Sequence, residues 1–160
     1  MEPRIVELEE KKLVGHALKM SLANNRTFEL WSGFMPLKRH ITNSIGLDLY
    51  SLQVYDTFPG EVGFNPTTEF TKWAVTEVSA YGAYAKDFKT LDLHGGLYAV
   101  FIHKGPSSEF AKTMNFIFKE WIPSSKYELD RRPHFEILGE KYKNNQPDSE
   151  EEVWIPIKLK

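Results

Sequence analysis

The sequence predicts an α+β fold, an antiparallel curved sheet carrying two main helices on one face, built from one strand–helix–strand–strand unit written twice. Three observations predict it. Leu30, Phe34, Leu37 and Ile41 fall at relative positions 0, 4, 7 and 11, and Phe110, Met114, Ile117 and Trp121 repeat those offsets, so each series draws one apolar stripe on a helix. Each stripe follows an apolar strand, residues 14–22 and 97–104, and precedes a strand pair, 47–55 with 70–78 and 134–140 with 153–159. The loops inside the two pairs also match in chemistry, with Asn65-Pro66 and Glu69 in the first and Gln146-Pro147 and Glu150 to Glu152 in the second. Such units, joined through residues 79–93, make one antiparallel sheet with helices on one face.

Each element has a local reason. The run of charge at 7–12, with Leu8 inside it, is balanced in sign and reads as solvated. Pro36 removes a backbone donor and predicts a kink or split of the first helix at Met35. Gly95-Gly96 predicts a turn or bulge at the start of the second half. After the Lys104-Gly105-Pro106 corner, Ser107 or Ser108 is placed to cap the second helix, and Glu109 suits its positive end. Trp121-Ile122-Pro123 predicts its stop. Pro156 cannot donate to a ladder and predicts an edge or a bulge for the last strand. The expected layout is a single domain, 1–160, with one repeat at about 1–79 and the other at about 94–160.

Composition excludes several function classes. Net charge is −2 and the Lys and Arg residues are scattered, which leaves no electrostatic footprint for direct nucleic-acid binding. The absence of cysteine removes disulfides, thiolate metal sites and thiol nucleophiles, and fits a reducing, cytoplasmic setting. MEPRIVELEE lacks a signal layout and no apolar run reaches membrane-span length, so no membrane association is expected. His16, His40, His94, His103 and His134 lack metal-site spacing, so no metal is expected. Without GxSxG, GxGxxG or a Walker loop, neither seryl chemistry nor a nucleotide cofactor is expected. Aromatic residues make up 14% of the chain, more than a core of this size needs, which points toward an apolar ligand pocket.

Glu136 is the leading site candidate. Strand alternation in HFEIL puts Phe135 and Ile137 on one face and His134, Glu136 and Leu138 on the other. Glu136 is then either a solvated acid on the surface away from the core or a carboxylate in an aromatic-walled pocket, and alternation leaves both open. A carboxylate held in a low-dielectric cleft must have its pKa rise or meet a cation. A lipophilic cation answers both demands, with cation–π attraction added. Trp73 in EFTKWAVTEV and Trp154 in EEVWIPI occupy equivalent places in the two halves and, with Tyr50 and Tyr98, are candidates for the pocket lining. Glu77 reads as a sheet-face acid paired with a neighbouring strand's Lys or Thr, Glu152 as a solvated acid near a cleft mouth, and Phe34 as core.

YAVF-x-HKG at 98–105, KEWIPSSKYE at 119–128 and HFEIL at 134–138 resemble the GyrI-like small-molecule-binding family, the effector-binding module attached to many bacterial AraC- and MerR-type regulators. The resemblance covers essentially all 160 residues and leaves no length for a DNA-binding domain, so it implies a sensor module on its own. It implies the tandem β-α-β-β architecture with a cleft between halves, a lipophilic or cationic aromatic ligand, a ligand-contacting role for Glu136 and a pocket-wall role for Trp121. Family resemblance also implies two alternatives. One is a hydrolase of reactive cyclopropane-type electrophiles with Glu136 and Trp121 as its catalytic pair. The other is a protein-interaction role toward DNA gyrase.

Overall fold

The computed structural model describes residues 1–160. Its strands are β1 (Arg4–Leu8), β2 (Lys11–Met20), β3 (Leu49–Tyr55), β4 (Phe70–Val78), β5 (Lys89–Leu93), β6 (Gly96–Lys104), β7 (Tyr127–Leu129), β8 (His134–Leu138) and β9 (Glu150–Leu159). Eight of them run in the antiparallel order β1-β6-β9-β8-β3-β4-β2-β5, and β7 adds to β9. That order reads as two blocks, β6-β9-β8 and β3-β4-β2, meeting at a β8–β3 seam. Ser51 faces Glu136 at the middle of the seam.

Connectivity forces the sheet to curve. β1 lies at one edge yet is joined by only Glu9 and Glu10 to β2, next to the other edge. β5, at that other edge, is joined by His94 and Gly95 to β6. A flat sheet cannot satisfy two-residue links between strands near opposite ends. The sheet therefore curls until its edges approach, without closing into a barrel. At the crossing the two links pack tightly, since a Cβ on Gly95 would sit 2.3 Å from the Leu8 carbonyl oxygen. The sequence does not reveal either edge strand, since residues 7–12 read as a solvated run and 79–93 as a connector.

Both faces of the sheet are buried, for different reasons. On the inner, helix-free face Leu13, Tyr50, Leu52, Val75, Tyr98, Val100, Phe135 and Trp154 form one cluster, closed by the curl itself. The outer face carries the helices. Helix α1 (Thr27–Phe34) seats Leu30 and Phe34 on Val14, Met20, Phe70 and Ala74. Helix α2 (Phe110–Phe116) passes through a π-type turn (Ile117–Trp121) into a last turn, α3 (Ile122–Ser124), and covers Ala99, Phe101, Val153 and Ile155.

Pro36 behaves as its chemistry demands, because α1 ends at Phe34 and continues as a 3₁₀ segment (Met35–His40). That tighter winding turns Leu37 outward, 40% exposed, although Ile41 returns to the core. Two local expectations are corrected. Ser107 and Ser108 do not cap α2; they sit in a 3₁₀ turn (Ser107–Glu109), and the Ser107 hydroxyl donates to the Asn144 carbonyl at 3.1 Å. Pro156 does not mark an edge, since β9 lies between β6 and β8. It sits where β9 changes neighbours, pairing with β8 up to Trp154 and with β7 from Ile157. The Pro156 carbonyl, on that same side, accepts from the Asp130 N–H at 3.0 Å. The missing N–H thus falls in a gap that needs no donor.

Candidate functional site

Between the two helices, the seam presents polar side chains in an otherwise apolar sheet. On the helix-bearing face Ser51 lies opposite Glu136, Gln53 opposite His134, and Lys72 beside Gln53. Ser51, Gln53, His134 and Glu136 are all buried, with Glu136 only 6% exposed. The Gln53 side-chain N–H donates to Glu136 Oε1 at 3.2 Å. One neutral amide does not balance a buried carboxylate, so burial pushes Glu136 up to about 7, against the downward pull of Lys72 and of the Gln53 hydrogen bond. Glu151, arriving from β9, is pushed up to about 8 by burial and then by Glu136, again opposed by Lys72. Two acids near one lysine leave the strip short of positive charge once both ionise.

Aromatic rings close one end of this strip. Tyr55 lies at 5.1 Å, Phe58 at 5.4 Å and Phe118 at 6.0 Å, centroid to centroid, from the His134 imidazole. Burial, and the nearby Glu136 charge, raise the Tyr55 phenol well above its ordinary range and keep it neutral. Burial also drives His134 down to about 3, so the ring is uncharged.

The backbone of the sheet separates the residues that the sequence grouped together. Glu136 lies on the helix-bearing face, and Trp121 belongs to the helical segment packed on that face. Tyr50, Tyr98 and Trp154 lie on the opposite, inner face, and Trp73 packs against their cluster. There Phe135 stacks on Trp154 at 5.2 Å and Tyr98 meets both rings edge-on, an arrangement that fills space. Trp121 packs edge-on to Phe101 at 5.2 Å and stacks on Tyr127 at 6.1 Å, among the side chains beneath α2. Of the two readings alternation allowed, the solvated one required the Phe135 face to lie beneath the helices. The helices are on the other side, and Glu136 is buried there.

Three further residues are placed by the ladder. Trp73 and Trp154 are not equivalent: Trp154 pairs with Phe135 and Val100, whereas the matching position of the first half, facing Tyr50 and Gly15, is Val75. Glu77 takes the Lys11 ammonium at 3.1 Å and the Tyr50 hydroxyl at 3.5 Å. Glu152 is not a free surface acid, because it accepts from the Trp154 indole at 3.0 Å and from Arg4 at 2.8 Å.

Sequence reasoning passed over Ser51, Gln53, Lys72 and Glu151. In LYSLQVY the polar residues alternate with apolar ones, and a strand with two buried faces has no ordinary use for Ser and Gln at one parity. That was the signal available. No group of three or more His, Asp or Glu side chains is placed to hold a metal ion, and no helix is long and apolar enough to cross a membrane. A cavity of about 310 Å³ opens between the 58–61 turn and the 118–131 stretch, lined by Phe58, Phe118 and Arg131 among others. A second, of about 330 Å³, lies at the upper end of the seam beside Asp48, Ile137, Gly139 and Glu151.

Residues 1–158 match the sequence model of the GyrI-like small molecule binding domain. No curated protein sequence matches the chain. Among solved structures, SAV2435 bound to tetraphenylphosphonium is similar over 99% of this chain and 94% of that one, with a TM-score of 0.64 at 15% identity. The C-terminal domain of EcmrR is similar over 99% and 98%, with a TM-score of 0.69 at 14% identity. A hydrolase from Listeria innocua is similar over 98% and 92%, with a TM-score of 0.65 at 11% identity. At these identities the likeness is one of fold.

Proposed function

The chain belongs to the GyrI-like small molecule binding domain family, and we propose that its ligand is a lipophilic cation held over the seam, with Glu136 as counter-charge. The observation that carries this reading is a carboxylate 6% exposed, with one neutral hydrogen-bond donor and a pKa pushed up to about 7. A ligand cation beside it restores the ionised form and is held in return. Tyr55, Phe58 and Phe118 add aromatic surface at the same end of the strip. The similar SAV2435 binds tetraphenylphosphonium, a ligand of this chemistry. Titration calorimetry with tetraphenylphosphonium and with neutral triphenylphosphine oxide is the test. Glu136→Gln is expected to weaken the cation roughly tenfold or more and leave the neutral compound within about twofold. Equal cation affinity in wild type and Glu136→Gln removes the charge argument.

A hydrolytic reading uses the same acid. A carboxyl near pKa 7 is suited to take a proton from water at neutral pH, and one protein of similar fold is a hydrolase. That reading needs Trp121 at the reacting centre, whereas its ring is engaged with Phe101 and Tyr127. Turnover of a strained cyclopropane electrophile by wild type but not by Glu136→Ala would put hydrolysis first.

A further inference from the structure

His134 is 1% exposed, and neither ring nitrogen has a hydrogen-bond partner. A neutral imidazole still carries one N–H and one lone pair, and leaving both unmet in a buried site is unusual enough to need a reason. Packing supplies none, because Tyr55, Phe58 and Phe118 surround the ring and a leucine would fill the same space without the polar penalty. Two of those rings, Phe58 and Phe118, also line the 310 Å³ cavity. The cavity and the imidazole therefore share Phe58 and Phe118 as neighbours. Beyond His134 on the same strand face come Gln53, across the seam, and Glu136.

Phe58 is carried on the connection between β3 and β4. Residues 56–69 form a long connection in which Gly60 and Gly63 take φ of +91° and +96°, and the Arg131 side chain latches it. Arg131 donates to Glu61 at 3.0 Å and to the Asp56 carbonyl at 2.6 Å, and its guanidinium lies 4.5 Å over the Phe58 ring. The Arg131–Glu61 pair is exposed, and the Phe58 ring beneath the guanidinium is buried. Around the cavity Glu61 pairs with Arg131 and Asp130 with Arg132, which leaves Glu128 as the acid without an ion pair on a rim that favours a positive visitor.

We infer that the 310 Å³ cavity is the mouth of the binding cleft, that Phe58 is its displaceable partition, and that His134 supplies a second polar contact to ligands that can hydrogen-bond. This rests on the cation-binding reading and names the route and the selectivity within it. The preferred ligand is a flat aromatic cation carrying an amine or carbonyl, which meets His134 on its way to Glu136.

Two probe cations separate the parts. Rhodamine 6G carries N–H donors and a carbonyl; tetraphenylphosphonium has no hydrogen-bonding group. His134→Leu is expected to weaken rhodamine 6G about tenfold and leave tetraphenylphosphonium within about twofold. Arg131→Ala is expected to speed association of both several-fold with little change in Kd. Because Leu removes an unmet polar group, its melting temperature should equal or exceed that of wild type. Should the variant fail to fold, imidazole ¹⁵N shifts of His134 in the wild-type protein decide: rhodamine 6G moves them and tetraphenylphosphonium moves them far less. If Glu136→Gln weakens both probes while His134→Leu and the ¹⁵N shifts do not distinguish them, this inference is overturned and the cation reading stands. If neither probe binds, both are overturned.

Discussion

Phe135 and Glu136 are neighbours on β8, yet they serve opposite faces of one sheet under different rules. On the inner face Phe135 is fully buried among Tyr50, Tyr98 and Trp154, in a cluster that satisfies itself by shape. On the helix-bearing face Glu136 is nearly as buried but is left with one hydrogen bond. Apolar packing of the first kind stabilises a fold; polar burial of the second kind destabilises it unless something arrives. The difference teaches that burial alone does not separate a residue whose surroundings satisfy it from one whose surroundings do not.

Substitution on the inner face is the strongest way to break this comparison. Phe135→Ala is expected to lower stability by about 3–5 kcal/mol in urea unfolding. The remaining folded protein should keep its cation affinity. Should affinity fall with stability, the two faces are not independent.

The helix-bearing face responds to pH instead. The folded pKa of Glu136, about 7, lies above its ordinary value of 4.5. Its protonated form therefore stabilises the fold fully below pH 4.5, and this contribution is lost as pH rises through 7. His134 works the other way: its folded pKa, about 3, lies below 6.5, so its contribution is present above pH 6.5 and lost as pH falls toward 3. The two slopes oppose each other between pH 4.5 and 6.5, and the wild-type profile alone is uninformative there. The difference between wild type and Glu136→Gln isolates the acid. Wild type should lose on the order of 3 kcal/mol relative to the variant from pH 4.5 to above pH 7. A pH-independent difference would place Glu136 in water.

The smallest effect sharpens the assignment of Trp154. Trp154→Phe removes the indole donor to Glu152 and should cost about 1 kcal/mol of stability, leaving cation affinity within about twofold. A large loss of affinity would move the ligand to the inner face.

Much of this fold was legible because local chemistry repeats. The two apolar stripes, the strand pairs and the split at Pro36 follow from side-chain periodicity and a missing N–H. The edge strands were not legible, since Arg4 and Glu7 in β1 and Lys89 and Asp92 in β5 give them a solvated look, while the partners of β1 and β5 lie far along the chain. Pro156 misled because nothing in EEVWIPI reveals that β9 trades β8 for β7 there. In the site, alternation isolated Glu136 from Phe135 correctly, but it cannot say which face the helices cover. That is settled by the curl, which depends on β1 and β5. Gln53 and Lys72 reach Glu136 only through strand register, so the seam strip became visible only in three dimensions.

The most direct test of the central claim is a ¹³C-carboxyl titration of Glu136 by NMR, with and without saturating tetraphenylphosphonium. The account predicts an apparent pKa near 7 in the free protein and a fall of at least about one unit with the cation bound. An ordinary carboxylate pKa in the free protein, or a value that the cation leaves unmoved, would contradict it.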